Sequence, residues 1–412
     1  MLYALHEAQR ALLGPWTSAA GTMARMFSDP GNGWAQLPGA AQLAAGSELM
    51  YRIGKDYEKP SFDIREVRAH GHDVAVLEHV ALELPFCRLL HFRRYSDDAA
   101  GLAALRADPT VLLVAPLSGH HATLLRDTVQ TLLREHDVYI TDWTDARMVP
   151  VEQGAFHLDD YVDYIRRFID HLGAADLHVV SVCQPTVPVL AAVSLMASAG
   201  ATTPRTLTLM GGPIDTRCNP TRPDDLAMRH PLDWFRHTVI HPVPANYPGR
   251  GREVYPGFLQ HAGFVAMNPG HHLFSHWDFY RNLARGYTDD ADAHRRFYDD
   301  YNAVLDMAAE FYLDTIDVVF QRHLLPKGEW DVRGRRVRPQ DIRDTALLTV
   351  EGERDDISGL GQTEAAHALC SGIPRTRKRH LLAPDVGHYG IFSGRRWRES
   401  TYPQLRNFIR AG

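Results

Sequence analysis

A cysteine set between a β-prone run and an apolar helical run is a candidate nucleophile, and Ser181-Val-Cys-Gln-Pro-Thr-Val-Pro188 has that form. Leu177–Val182 reads as a buried strand and Pro185–Ala199 as a helix, so Cys183 falls on the sharp strand-to-helix turn that presents a nucleophile. In the serine version of this turn, glycines two before and two after let strand and helix approach. Here Ser181 is small, and Pro185 falls at the start of the helix, where a missing N–H costs nothing. A thiol at a helix N-terminus needs only a nearby base to become a thiolate. That base and its orienting acid are expected in the chain order nucleophile, acid, histidine. His388 sits in the glycine-flanked loop Asp385-Val-Gly-His-Tyr-Gly390, after the last strand-like run. The acid is expected in Glu351-Gly-Glu-Arg-Asp-Asp356, at the carboxyl end of the run Ala346–Val350. Asp355 is the first choice, with its neighbour Asp356 and Asp215, after the preceding strand, as alternatives. Together these residues predict nucleophilic catalysis by a cysteine with a histidine base and an orienting acid.

Such a reaction needs hydrogen-bond donors for the developing oxyanion. The backbone N–H of Gln184 is one candidate, and Leu117 or Ser118 in the loop Pro116–Gly119 would supply the second. His120 in the same loop, with Trp277 and Tyr280 further on, are candidate substrate contacts. The pairs His120-His121 and His271-His272 read as loop histidines. The 23 histidines are scattered without zinc spacing, so no metal site is expected. Cys87, Cys218 and Cys370 lie far apart with no histidine–acid context, and read as packing thiols in a reducing, cytoplasmic setting.

The elements that must position these groups follow from the hydrophobic rhythm. Leu2 to Phe27 and a second run to about Tyr57 are helical, with a Gly/Pro-rich stretch between them. Ile64–Arg68, Val74–Leu84 and Cys87–Tyr95 read as antiparallel strands. Thr110–Ala115, Val138–Thr141, Leu177–Val182, Thr206–Met210 and Ala346–Val350 are continuous apolar runs, as expected of strands buried on both faces. Helical stripes over Thr123–Glu135, Leu158–Leu172 and Pro185–Ala199 alternate with them, which predicts an α/β class with a mostly parallel, doubly wound sheet. From about Cys218 to Arg335 the rhythm stops and aromatics accumulate. The expected organisation is a helical extension (1–60), a core (61–217), an inserted cap (218–340) and the rest of the core (341–412). With 45% hydrophobic and 23% charged residues and a formal charge of −6, the chain fits neither a disordered nor a nucleic-acid-binding class. No apolar run approaches the ~18 residues of a transmembrane helix.

At these residues the chain resembles the intracellular poly(3-hydroxybutyrate), or polyhydroxyalkanoate, depolymerases. The similarity rests on Met1-Leu-Tyr-Ala-Leu5, Ala115-Pro-Leu-Ser-Gly-His120, Val182-Cys-Gln-Pro-Thr-Val-Pro188, Gly352-Glu-Arg-Asp-Asp356 and the His388 loop, and so spans nearly the whole chain. The resemblance implies an α/β-hydrolase fold with an inserted cap and a triad of Cys183, Asp355 and His388. It implies amorphous polyester in cytoplasmic granules as substrate. It implies a covalent thioester that would be resolved by water, or by coenzyme A as co-substrate, and neither route needs a metal or other cofactor. A homodimer is an assembly compatible with the family. Two rival readings are a polyhydroxyalkanoate synthase-like acyltransferase and a non-catalytic granule-associated protein. Synthases keep a glycine-flanked cysteine and are usually longer, and an intact triad speaks against a protein without chemistry.

Overall fold

The computed structural model describes residues 2–412 apart from Asn268, and only the backbone at Met267 and His271. Met1 of the N-terminal string and the His271 side chain therefore lie outside the described residues.

Two helices open the chain, α1 (Leu2–Ser28) and α2 (Ala40–Gly54). They run antiparallel, because Gly21 lies against the Tyr51 ring while Gly54 lies against Thr17. Strands β1 (Glu66–Ala69), β2 (His72–Leu84) and β3 (Cys87–Tyr95) then pair antiparallel. Helix α3 (Ala99–Arg106) leads into the alternating part: β4 (Thr110–Val114), α4 (Arg126–Leu132), β5 (Asp137–Trp143), α5 (Leu158–Leu172), β6 (Leu177–Val182), α6 (Thr186–Ser198) and β7 (Thr206–Met210). β6 and β7 are buried at every position, so they carry no polar alternation. α6 likewise lacks a polar face, being buried from Thr186 to Met196.

Between β7 and the later strands come α7 (Arg222–Arg229), α8 (Leu232–Val239), α9 (Gly257–Met267), α10 (Pro269–Arg285), α11 (Thr288–Asn302) and α12 (Ala309–Thr315). A small sheet of β8 (His241–Pro242), β9 (Glu253–Tyr255) and β10 (Met307–Ala308) and a hairpin of β11 (Asp331–Val332) and β12 (Arg335–Arg336) complete this segment. The central sheet resumes with β13 (Ala346–Gly352) and β14 (Lys378–Ala383), and the helix Tyr402–Ala411 closes the chain. The nine strands lie in the order β1-β2-β3-β5-β4-β6-β7-β13-β14. Beyond β3 all neighbours from β5 to β14 are parallel. With β1 set aside, this is the strand order of the α/β-hydrolase fold, which the chain adopts. Among the described residues no helix is long and apolar enough to cross a membrane.

Buried polar ties hold the segment between β7 and β13 to the sheet. Asp306 accepts the Tyr3 hydroxyl at 2.7 Å and the Gly257 N–H at 2.8 Å, and its own N–H donates to Asp145. Arg126 grips both oxygens of Asp300 at 3.0 Å. Leu305 N–H donates to the Gly119 carbonyl, and His120 bridges to Val304, so the loop after β4 is fastened to the same segment. His120 and His121 lie in that loop, as expected, and are buried there. His272 instead lies on α10 with its Nδ1 2.9 Å from the Tyr298 hydroxyl, which corrects the loop expectation for that residue. Aromatic rings flank His120 and His272, a setting that a lone sequence position does not reveal.

Burial holds five imidazoles neutral: His120, His121, His136, His178 and His294 have pKa values pushed down to about 3 or 4. The unfolded chain protonates them near 6.5, so it binds more protons below that pH and stability falls as pH drops. Burial raises the Asp145 and Asp300 carboxyls to about 7 and about 6, which acts in the opposite sense. Lowered imidazoles outnumber raised carboxyls among the shifted groups, so unfolding takes up protons on balance near pH 5. Denaturant midpoints measured at pH 7, 6 and 5 should fall steadily, and a flat or rising profile would contradict the buried neutral imidazoles.

Candidate active site

β6 ends at Val182, and Cys183 turns the chain with φ at +68°, a left-handed conformation that a β-carbon resists. The Cys183 N–H donates to the Met210 carbonyl at 2.7 Å, continuing the ladder to β7. Its carbonyl accepts the Thr186 N–H at 3.1 Å, which starts α6. Pro185 caps α6 with φ at −65°, one position before the helix rather than inside it. Pro188 falls in the first turn, where the backbone N–H has no intrahelical partner to lose. Close approach is bought by Gly212, since a β-carbon there would sit 1.8 Å from Thr186 Oγ1.

His388 lies in a short turn after β14, with its Nδ1 2.8 Å from Asp355 Oδ2. The other oxygen of Asp355 accepts the N–H groups of Ile357 and Ser358, both at 2.9 Å, so neither carboxylate oxygen is idle. The Cys183 sulfur lies near the same ring and acts on its charge. Burial alone would depress the His388 pKa, but Asp355 and Cys183 outweigh it and hold the ring well above the usual imidazole value. Gly211, at φ +56°, passes directly over this pair, and a β-carbon there would lie 3.3 Å from both Asp355 Oδ2 and His388 Cε1.

The two alternative acids stand elsewhere. Asp356 is exposed, and Asp215 is ion-paired with Arg217 at 2.7 Å. Glu351, Glu364 and His380 also gather with ligand atoms within 4.8 Å of one another. The Glu351 oxygens, however, accept the N–H groups of Gly361, Thr363 and Glu364, which makes this carboxylate a clamp on the chain that follows the Asp355 loop. Of the other thiols, burial raises Cys87 well above the usual range and Cys370 to about 12.

Cys183, His388, Gln184, Leu117, Ser118 and His120 all line one cavity of about 780 Å³. The Gln184 N–H has no acceptor among the described residues. The Leu117 N–H donates to the Gln184 side-chain oxygen at 3.4 Å, so in this state the Gln184 amide covers one of the two anticipated donors. His120 has no partner at Nε2 among the described residues and stacks on Phe264 at 4.8 Å. Trp277 and Tyr280 do not line the cavity. They stack on each other at 5.4 Å on α10, whose Tyr280 faces Gly46 of α2, because α10 packs against the N-terminal helices. The aromatics that do line it include Tyr255, Phe264, Phe311, Tyr312 and Tyr389. Gln260 was missed by sequence reasoning: its Nε2 donates to the carbonyls of Tyr255 and Leu305, while its buried Oε1 lacks a partner among the described residues. Nothing in its helical context signals that position. Tyr389, next to His388 in the chain, was the readable omission.

Residues 211–412 match the family model described as PHB de-polymerase C-terminus. No curated protein matches the chain. Among solved structures, a putative lipase from Acinetobacter baumannii AYE is similar at 12% identity over 82% of this chain and 93% of its own, with a TM-score of 0.44. A 2-hydroxy-6-oxo-6-phenylhexa-2,4-dienoate hydrolase from Rhodococcus sp. strain RHA1 is similar at 12% identity, covering 82% and 99%, with a TM-score of 0.43. A thermophilic esterase from Thermogutta terrifontis gives 13%, 84% and 97%, with a TM-score of 0.40.

The geometry makes Asp355 responsible for the elevated His388 pKa. NMR titration of the His388 ring should show a clear downward shift in Asp355→Asn and none in Asp356→Asn or Asp215→Asn. A shift of equal size in either of the latter would reassign the acid.

Proposed function

We propose that this chain, an ester hydrolase whose residues 211–412 form a PHB depolymerase C-terminal domain, cleaves the ester bonds of stored amorphous poly(3-hydroxybutyrate). The observation that carries this reading is the hydrogen bond from His388 to Asp355 beside the Cys183 sulfur, with Cys183 and His388 both lining an apolar cavity where the residues that follow β7 supply much of the wall. Cys183 is the nucleophile, His388 the proton carrier and Asp355 the group that orients and charges it.

The Cys183 thiolate attacks an ester carbonyl, and the negative charge moves onto its oxygen. The N–H of Gln184 is free to receive that oxygen, with Leu117 or Ser118 as the second donor once the Gln184 amide gives way. His388 then protonates the departing 3-hydroxyl group, leaving a thioester on Cys183. Water deprotonated by His388 releases the hydroxybutyrate acid, or coenzyme A takes the acyl group as its thioester. A neutral polyester presents methyl groups and ester oxygens, which suits a mainly apolar slot with a few polar atoms such as His120 Nε2. Residues 218–340 act as the cap over that slot, on the 1–60 extension and the two core parts (61–217 and 341–412). We place the reaction on cytoplasmic granules, in keeping with four free cysteines.

Acid release from amorphous poly(3-hydroxybutyrate) granules tests the reading. The wild type should release hydroxybutyrate acids, and Cys183→Ala should lose at least about 10³-fold in rate. A CoA ester formed when coenzyme A is added would identify thiolysis. No release by the wild type, with granule binding intact, would favour the synthase-like or non-catalytic readings instead.

A further inference from the structure

The inner side of α1 is fixed to the body of the protein. Tyr3 bonds Asp306, His6 stacks on Phe258 at 3.9 Å, and Glu7 accepts the Tyr247 hydroxyl. Its outer side carries large apolar residues that nothing in the chain covers: Leu5, Leu12 and Trp16 are 65%, 75% and 76% exposed. These positions follow a rule. Leu2, Leu5, Gln9, Leu12, Trp16, Ala19 and Met23 are all exposed and step three, four, three, four, three and four residues along the helix. On α2, the exposed Leu43, Met50 and Ile53 are spaced seven and three apart.

The same face is free of charge. From Leu2 to Ala24 and along all of α2, no exposed residue is acidic or basic. The charged residues that do occur there are partly or fully covered and paired, Arg10 with Glu7 and Asp56, Glu48 with Arg295 and Arg52 with Asp299. An ordinary protein surface is about a quarter to a third charged, so a face of this kind has a partner.

The repeat selects what that partner is. A helix lying on a lipid surface carries lysine and arginine beside its apolar side, and α1 shows no exposed basic residue before Arg25. A 3.5-residue seam instead matches the side of another helix, whose knobs fill its holes. An antiparallel helix pair with one uncovered seam side closes by two-fold symmetry into four helices. At 1.5 Å per residue and ~10 Å width, α1 and α2 offer a footprint of roughly 600 Å² per copy before surface relief is added, close to the ~800 Å² of a standard interface. We propose that the outer side of the α1–α2 hairpin is a homodimer interface, its partner the same hairpin of a second copy, joined as a four-helix bundle.

Sedimentation velocity of the full chain from about 1 to 100 µM tests this. The wild type should sediment with twice the 46.3 kDa of one chain. The double variant Leu12→Glu/Trp16→Glu should sediment as one chain, with unchanged circular dichroism and unchanged turnover of a small soluble ester, since neither side chain lines the cavity. The double variant Leu12→Met/Trp16→Phe should stay dimeric. Hydrogen exchange supplies a reading that needs no variant: amides of α1 should gain protection as wild-type concentration rises. A wild type of single-chain mass throughout, or a glutamate variant that stays dimeric, overturns the proposal. A single-chain wild type whose granule binding fails with the same glutamates would give the face to the polymer instead.

Discussion

One backbone torsion organises the catalytic corner. Holding Cys183 at φ +68° costs about 1–3 kcal/mol relative to a relaxed residue, and the surrounding packing must offset it. β6 and α6 are buried along almost their whole length, so neither can rotate to relieve the turn. The Cys183 N–H is locked to β7, and the glycine pair 211–212 lets the next loop close over the elbow without meeting Thr186. The side chain gains position from this arrangement: it leaves the sheet plane toward His388 rather than lying along the strand. The same glycines that permit the elbow also admit the Asp355–His388 pair, so Cys183, His388 and Asp355 share a single steric solution.

A second constraint lies above the sheet. The segment between β7 and β13 has a modest core of its own, centred on Phe235, Ile240 and Leu313. Its attachment depends on buried polar ties as well. Asp306 draws together the first turn of α1, the start of α9 and the loop after β5, so the cavity wall, the N-terminal helix and the sheet meet at one carboxylate. Burial raises the pKa of Asp306, yet three groups donate to or receive from this residue, and a buried network satisfied to that degree specifies one arrangement.

The parts of this fold that were legible in the sequence are those governed by local burial. β4, β6, β7 and β13 announce themselves as unbroken apolar runs because neighbouring residues are buried alike, and α5 as a full-length stripe because its buried positions recur every three or four residues. Element ends shift by a residue or two where turns intervene: the expected helix from Thr123 begins as a tight 3-10 turn and becomes α-helical at Arg126. The strands β8, β9 and β10 were not legible, since two or three residues paired across some fifty positions leave no periodic signal. That Asp355 and His388 would meet, with Cys183 on the same cavity as His388, could be anticipated from order and loop chemistry. The cavity wall could not, because aromatic content does not say which way a helix turns, and α10 turns Tyr280 toward α2 and leaves Trp277 exposed instead.

The electrostatics bear on why a cysteine stands at this elbow. A serine hydroxyl is activated only if its histidine is neutral and able to take the proton during attack. Here the carboxylate of Asp355, fixed by two backbone N–H groups, and the adjoining sulfur both favour a charged His388 ring. A charged imidazole is a poor base toward an alcohol. Beside a thiol it is the complementary half of the ion pair on which the proposed cysteine chemistry would draw. In that proposal the ring holds the proton that the departing alkoxide needs, so an environment that would slow a serine suits a cysteine.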